Sequence, residues 1–250
     1  MKGLHFTKMQ GLGNDFVVVE GPMSFAPEQV AELCDRRFGV GADGVLVVSR
    51  DGGVVRMEYW NADGSAAEMC GNGLRCVARY VYDREWVSDP SFTILTPDGE
   101  RRVRVLESSV EAELGPARLG EERVIEGHAY RLVDMGNPHA VRLVDDPDAV
   151  DVVSVGASVQ THFPHGANIE FVAMRDDGLS MRVWERGVGE TMACGTGMAA
   201  AAMVAGERSS ATGPVEVTVR GGVGTVEIRD GVAWLEGPAE VSFSGTFGGR

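Results

Sequence analysis

The sequence predicts an α+β protein of two pseudo-symmetric domains, each a mixed β-sheet wrapped around a core α-helix, and three observations predict it. Strand-like runs outnumber helical ones and cluster in hairpin-like series, which argues against a doubly wound parallel sheet. The segment 197–206 carries no charge and shows no polar face, so it is a helix buried on all sides. The chain also repeats itself at an offset close to half of its 250 residues, the mark of a duplicated module and not of a solenoid of short repeats.

The repeat is clearest at two near copies, Met69-Cys70-Gly71-Asn72-Gly73 and Ala193-Cys194-Gly195-Thr196-Gly197, in which the cysteines lie 124 residues apart. Glu185 follows Asn61 by the same 124 residues. Gly166-Ala167-Asn168 echoes Gly41-Ala42-Asp43 at 125, and Asn137 echoes Asn14 at 123. Two similar halves, each presenting one cysteine, account for all four matches.

In chain order, apolar periodicity predicts a strand over 16–20, a helix over 27–38, and strands over 45–48 and 54–60. A helix over 74–81 continues behind Cys70, and strands over 92–96 and 102–114 complete the first half. The second half follows the same order: strands over 130–135 and 140–144, a short helix over 150–160, strands within 168–184, then the helix behind Cys194. Several glycine-punctuated strands follow. Residues 116–122, with proline, a glycine and a charge cluster, form the predicted linker, placing the domains at 1–118 with Cys70 and 119–240 with Cys194.

Composition narrows the function classes. The apolar fraction of 44% and charged fraction of 24% are those of a soluble globular protein. A net charge of −14 argues against nucleic acid and anionic membrane as partners, since both require a basic footprint. The first residues begin directly in strand-like sequence without an apolar leader, and no run approaches a membrane span, so a cytoplasmic protein with reduced thiols is expected.

The chemistry centres on Cys70 and Cys194. A cysteine just ahead of a helix start sits where free N–H groups and the positive end of the helix dipole favour a thiolate. Cys34, in a helical stretch, and Cys76, about 600° of helical rotation beyond Cys70, are expected to be packing residues. No second cysteine or histidine pair completes a zinc site, so no metal is expected. Two thiols from matched modules suit inversion of a carbon–hydrogen centre: a base removes the proton from one face and an acid returns one on the other. Pyridoxal phosphate is the usual means of acidifying an amino-acid α-carbon. Lys2 and Lys8 are the only lysines, however, and no phosphate cradle accompanies them, so a cofactor-free thiol pair is favoured. Gly11-Leu12-Gly13 lacks the third glycine of a dinucleotide fingerprint and is read as a turn that aims Asn14. Asn14, Asn61, Asn137 and Asn168 recur at duplicated positions. Glu185-Arg186 is either an exposed ion pair or a reader of a zwitterionic ligand. His139, in a duplicated turn, either tunes a thiol or satisfies a local hydrogen bond.

Taken together, 9–16 (MxGxGNDF), 39–44 (GxGADG), 61–76 (NADGSxxxxCGNGxRC), 135–139 (MGNPH), 166–172 (GxNxEFV) and 185–197 (ERGxGETxxCGTG) resemble the diaminopimelate epimerase family. The resemblance covers most of the chain. It implies cofactor-free interconversion of LL- and meso-diaminopimelate in lysine and cell-wall biosynthesis, by a homodimer whose site lies in the cleft between like domains. It also implies that a C-terminal strand over 241–250 returns to the first domain. The family's proton donor and acceptor map onto Cys70 and Cys194, and its thiol-modulating residues onto His139 and Glu185. Its substrate contacts map onto Asn14, Asn61, Gly71, Asn72, Asn137, Asn168, Glu185, Arg186, Gly195 and Thr196. Gly44 departs, standing where some members use glutamine to contact substrate. Competing readings are an epimerase of another amino acid, a thiol–disulfide redox protein, disfavoured by the lack of Cys-x-x-Cys, and a catalytically silent binding module.

Overall fold

A computed structural model of the chain describes residues 3–67, 70–209 and 213–249. Met69 of the first repeat, Met1 and Lys2 of the opening strand-like segment, and Arg250 of the returning strand lie outside the described residues. The chain forms two compact units, Met1–Ala112 with Gly237–Arg250, and Glu113–Glu236. These boundaries fall somewhat earlier than the linker signals suggest.

The first unit contains β1 (Leu4–Gly11), β2 (Asn14–Glu20), α1 (Pro27–Cys34), β3 (Gly44–Asp51), β4 (Val54–Asn61), β5 (Ala66–Ala67), α2 (Gly71–Asp83), β6 (Ser91–Thr96), β7 (Gly99–Val105) and the start of β8 (Val110–Pro116). β2 runs parallel to β3, and β4 parallel to β6, each pair joined by a helical crossover; the neighbours β1/β2, β3/β4, β6/β7 and β7/β8 are antiparallel. Side chains of a strand alternate between faces, and both faces are buried here. Phe16 and Val18 of β2 and Leu46 and Val48 of β3 pack with Leu74, Val77 and Val81 of α2. Val17, Val19, Val45 and Val47 point the other way, onto Val30 and Leu33 of α1. A near-continuous valine run therefore marks strands covered on both sides.

The helix predicted over 27–38 stops at Cys34. Asp35 leaves helical geometry, its Oδ1 accepts from the N–H groups of Arg37 and Phe38, and the chain turns back so tightly that a Cβ on Gly39 would lie 2.0 Å from the Glu32 carbonyl oxygen.

The second unit contains β9 (Arg118–Ile125), β10 (His128–Asp134), β11 (Pro138–Leu143), α3 (Val152–Gln160), β12 (Asn168–Arg175), β13 (Gly178–Glu185), β14 (Gly189–Glu190), α4 (Gly195–Ser209), β15 (Val215–Val219), β16 (Gly222–Arg229) and β17 (Val232–Gly237), whose last residue belongs to the first unit. β11/β12 and β13/β15 are parallel, matching β2/β3 and β4/β6. Register carries the repeat into the structure: Val55 pairs with Ile94, and Leu179 with Val217, at offsets of 124 and 123. α4 packs against β10 to β13, β15 and β16 with a stretch of alanines that is almost wholly buried. α3 covers the opposite face with Val152 and Val159 against Ile169 and Phe171. Gly156 permits that contact, since a Cβ there would fall 2.4 Å from Trp184 Cβ.

The predicted linker over 116–122 is corrected: β9 occupies most of it and pairs antiparallel with β10. Its residues 118–124 are all exposed and only Ile125 is buried, so the charge cluster belongs to a strand exposed on both faces. β18 (Glu240–Phe247) closes the chain antiparallel to β1 in the first unit.

Two features of the first unit fix the backbone that carries Asn14 and Asn61. Gly44, between Phe16 of β2 and Asn61 of β4, would place a Cβ 2.4 Å from the Trp60 carbonyl oxygen and 2.5 Å from the Tyr59 ring. No side chain fits there without moving the strand. Beside it, Lys8 and Arg36 both pair with Asp15, Arg36 also pairs with Asp43, and Asp43 Oδ2 accepts from Asn14 Nδ2 at 2.7 Å. Burial alone would raise the Asp15 carboxyl, but hydrogen bonds and charge from Arg36 and Lys8 overcome it and bring the pKa to about 2. Gly44→Ala is expected to destabilise the protein by about 1–3 kcal/mol through overpacking, measured by urea unfolding. Because the folded-state pKa of Asp15 is depressed, its contribution to stability is full above about pH 4 and is lost as pH falls towards 2. Asp15→Asn should lower stability at neutral pH and flatten the acid limb of a stability–pH curve; an unchanged acid limb would remove this role.

Candidate active site

In the first unit, Cys70 is the N-cap of α2. The first N–H groups of a helix have no intrahelical acceptor, and here the Cys70 sulfur takes one of them, accepting from Gly73 N at 3.3 Å. A Cβ on Gly73 would sit 3.0 Å from Leu46 Cδ2 and 3.4 Å from Cys70 Sγ, so the glycine lets helix, thiol and sheet meet. The thiol lies 3.8 Å from Asn14 Oδ1, which also accepts from Asn72 Nδ2 at 3.2 Å. Asn72 in turn receives Arg75 Nη2 on its Oδ1 at 2.9 Å. Asn61 stands at the end of β4 opposite Gly44 and donates from Nδ2 to Ser65 Oγ at 3.0 Å. Asn14, Cys70, Gly71 and Asn72 thus form one group, with Asn61 two strands away from Asn14.

The second unit repeats the arrangement with different side chains. Cys194 precedes α4, and its sulfur accepts from Gly197 N at 3.4 Å and contacts Thr196 Oγ1 at 3.5 Å. Burial, then the carboxylates of Glu185 and Glu170, push the Cys194 thiol well above the ordinary cysteine range. Burial also raises the Glu185 carboxyl, against hydrogen bonds from the Thr191 hydroxyl and the Cys194 thiol. His139, fully buried, has Nδ1 2.6 Å from Glu170 Oε1 and Nε2 3.0 Å from Asn137 Oδ1. Asn168 Oδ1 accepts from the Arg186 backbone N–H at 2.9 Å, and its Nδ2 lies 3.4 Å from His139 Nε2. The structure therefore gathers Asn137, His139, Asn168, Glu185, Arg186, Cys194, Gly195 and Thr196 around one helix start.

Each helix start combines a sulfur with a dipole that favours negative charge, the setting in which a thiol serves as an acid or base and N–H groups hold a carboxylate. The other cysteines lack that setting: burial raises Cys34 and Cys76 each to about 12, and both pack in apolar cores. Sequence reasoning passed over several residues. Glu170 was hidden in an apolar strand, and its offset of 124 from Leu46 was the available signal. Arg75, on the buried side of α2, gave none. Asp15, Arg36, Asp43 and Thr191 act by holding Asn14 or Glu185, contacts that only the fold creates.

Comparison with known proteins agrees with this geometry. The sequence profile of the family described as diaminopimelate epimerase matches residues 6–120 and 131–241. The diaminopimelate epimerase of Pelotomaculum thermopropionicum is 42% identical, over 98% of this chain and 99% of the relative. That of Leptospira biflexa is 38% identical, over 97% and 98%. Among solved structures, a putative phenazine biosynthesis PhzC/PhzF protein from Clostridium difficile superposes with a TM-score of 0.79 at 12% identity, covering 97% of this chain and 98% of the other. A hydroxyproline epimerase from Agrobacterium vitis gives 0.73 at 13% identity, covering 98% and 91%. At those identities the structures share the fold alone. The matched profile spans both cysteine-bearing helix starts, and near-full-length relatives carry the same description: the chain belongs to the diaminopimelate epimerase family.

Proposed function

We propose that this chain interconverts LL- and meso-diaminopimelate with Cys70 and Cys194 as its base and acid. The observation that carries the reading is the duplicated cap, in which each sulfur accepts the N–H of the glycine three residues on, at 3.3 and 3.4 Å. Inversion at a carbon needs one group on each face, and one thiol serves each. With one configuration bound, the Cys70 thiolate takes the α-proton while the Cys194 thiol donates its own; with the other configuration the roles exchange. The substrate α-carboxylate lies against the N–H groups at Gly71 and Asn72 and at Gly195 and Thr196, which also stabilise charge as the α-carbon becomes carbanionic. His139 and Glu185 tune the thiols. Asn14, Asn61, Asn137, Asn168, Glu185 and Arg186 complete the substrate contacts, with the last two suited to a zwitterionic group. Gly44 contributes no side chain, so any contact there is made by backbone or water.

The chemistry requires no cofactor, and the enzyme belongs to lysine and peptidoglycan precursor biosynthesis. We assign it to the cytoplasm as a homodimer, which sedimentation at several concentrations checks; a monomer throughout would remove the dimer.

In deuterated buffer with reductant, LL-diaminopimelate should acquire deuterium at an α-carbon and give the meso form. Exchange on proline or histidine, with none on diaminopimelate, would replace the substrate. Cys70→Ala and Cys194→Ala should each lower epimerisation by about 10²- to 10⁴-fold, whereas a binding module would be unaffected. Because both thiols must reach one carbon, mild peroxide should join Cys70 to Cys194 and abolish activity until a thiol reductant restores it. Activity surviving complete oxidation of the pair would sink the two-thiol mechanism.

A further inference from the structure

The two thiols sit on a duplicated backbone, but the buried charges around them are of opposite sign. Leu46 and Glu170 are 124 residues apart, the same offset as Cys70 and Cys194 and as Gly73 and Gly197. They occupy the same place beneath the helix start. A Cβ on Gly73 would meet Leu46 Cδ2 at 3.0 Å and Cys70 Sγ at 3.4 Å; a Cβ on Gly197 would meet Glu170 Oε1 at 2.8 Å and Cys194 Sγ at 3.4 Å. A carboxylate oxygen in the second unit therefore stands where the first unit has a methyl group.

Glu170 is 0% exposed, its Oε1 pairs with His139 Nδ1, and its Oε2 has no hydrogen-bond partner. Leaving a carboxylate oxygen desolvated in this way costs stability. Packing alone would favour a residue like Leu46.

In the first unit the fully buried charge on the helix behind Cys70 is Arg75, again 0% exposed. Its Nη2 donates to Asn72 Oδ1, while Nε and Nη1 have no hydrogen-bond partner. Among the described residues no carboxylate forms an ion pair with it. The guanidinium is flanked by two glycines: a Cβ on Gly11 would lie 3.2 Å from Nη2, and one on Gly237 3.3 Å from Nε. The residue 124 positions on, in α4, is Ala199, so this cation has no counterpart in the second unit. It connects to the thiol through Asn72 and Asn14, over contacts of 2.9, 3.2 and 3.8 Å.

We propose that Arg75 and Glu170 are positioning residues of opposite charge that bias the two thiols in opposite senses, Arg75 towards thiolate at Cys70 and Glu170 towards thiol at Cys194. The proposal rests on the two-thiol reading above and adds that the duplicated site is poised with one base and one acid before substrate arrives. A matched pair with equal tendencies would spend part of its population with both sulfurs protonated or both ionised, and neither form can complete inversion in one passage. The groups facing Cys194 include Glu185, Glu170 and Thr196, with His139 behind Glu170; those facing Cys70 include Asn14, which is held by Asp43 of the Lys8, Asp15, Arg36 and Asp43 cluster, and, through α2, Arg75 and the packed thiol Cys76. Burial draws the Arg75 guanidinium down to about 10, while the charge that Cys76 and Cys70 carry when ionised pulls it back up, the reciprocal sign of its action on Cys70.

The test follows each sulfur separately and needs no substrate. In the full-length enzyme, alkylation by iodoacetamide is measured for Cys70 and Cys194 across pH by peptide mass spectrometry, and the midpoint of each pH–rate curve is compared, because accessibility scales a rate but leaves its midpoint in place. The wild-type midpoint of Cys70 should lie below that of Cys194. Glu170→Gln should lower the Cys194 midpoint by about 1–3 pH units and leave that of Cys70 in place. Arg75→Gln should raise the Cys70 midpoint, while Arg75→Lys, which keeps the charge, should restore it; a purely structural role would disturb both variants alike. A wild-type Cys194 midpoint at or below that of Cys70 overturns the proposal even if no variant folds, as do midpoints that ignore both substitutions. Deuterium exchange into diaminopimelate is measured in parallel. Its presence with unbiased midpoints overturns the bias alone, and its absence overturns the function beneath it.

Discussion

A sulfur that caps a buried helix is the constraint from which both halves of this molecule are built. At each of α2 and α4, the cysteine accepts the N–H of the glycine three residues later, and that glycine has no side chain because the sheet lies directly beneath it. The cap satisfies an orphan donor, starts the helix at a defined residue and leaves the sulfur at the positive end of the dipole. Since the helix is enclosed by its own sheet, the thiol cannot drift: its position is set by core packing as much as by its own hydrogen bonds. The Cys-Gly-x-Gly spacing is the sequence trace of that geometry.

Around this shared cap the two units have diverged in charge. The first holds Asn14 against Cys70 with an ionic cluster of Lys8, Asp15, Arg36 and Asp43 on one side and the buried Arg75 on the other. The second surrounds Cys194 with Glu185, Glu170 and His139. Duplication explains why two thiols exist in like settings; divergence of the buried charges accounts for how two like groups perform unlike tasks. The desolvated atoms of Arg75 and Glu170 are costly to burial, which is why they stand out against otherwise apolar cores.

Much of this was legible in the chain before any coordinates. The valine runs over 16–19 and 45–48 marked strands buried on both faces, and the uncharged segment over 197–206 marked the enclosed helix, because periodicity reports burial locally. The elements that were misread failed for local reasons of their own. The helix over 27–38 ends early because the Asp35 side chain captures the following N–H groups. Most of the segment over 116–122 becomes a strand because an exposed strand tolerates the charges and the glycine that elsewhere make a linker.

By itself the sequence determined the duplication, the pair of cysteines at helix starts, the recurring asparagines and the family, because each is carried by residue types at fixed spacing. The tertiary structure decided which side chains hold those residues in place. Asp43 on Asn14, Thr191 on Glu185 and Glu170 on His139 are separated from their partners along the chain and meet only when strands pair. It also decided the sign of the charge behind each thiol. Leu46 and Glu170 hold matching positions in the repeat, but only the fold sets both beneath a cysteine, where a methyl group is neutral to a thiolate and a carboxylate opposes it.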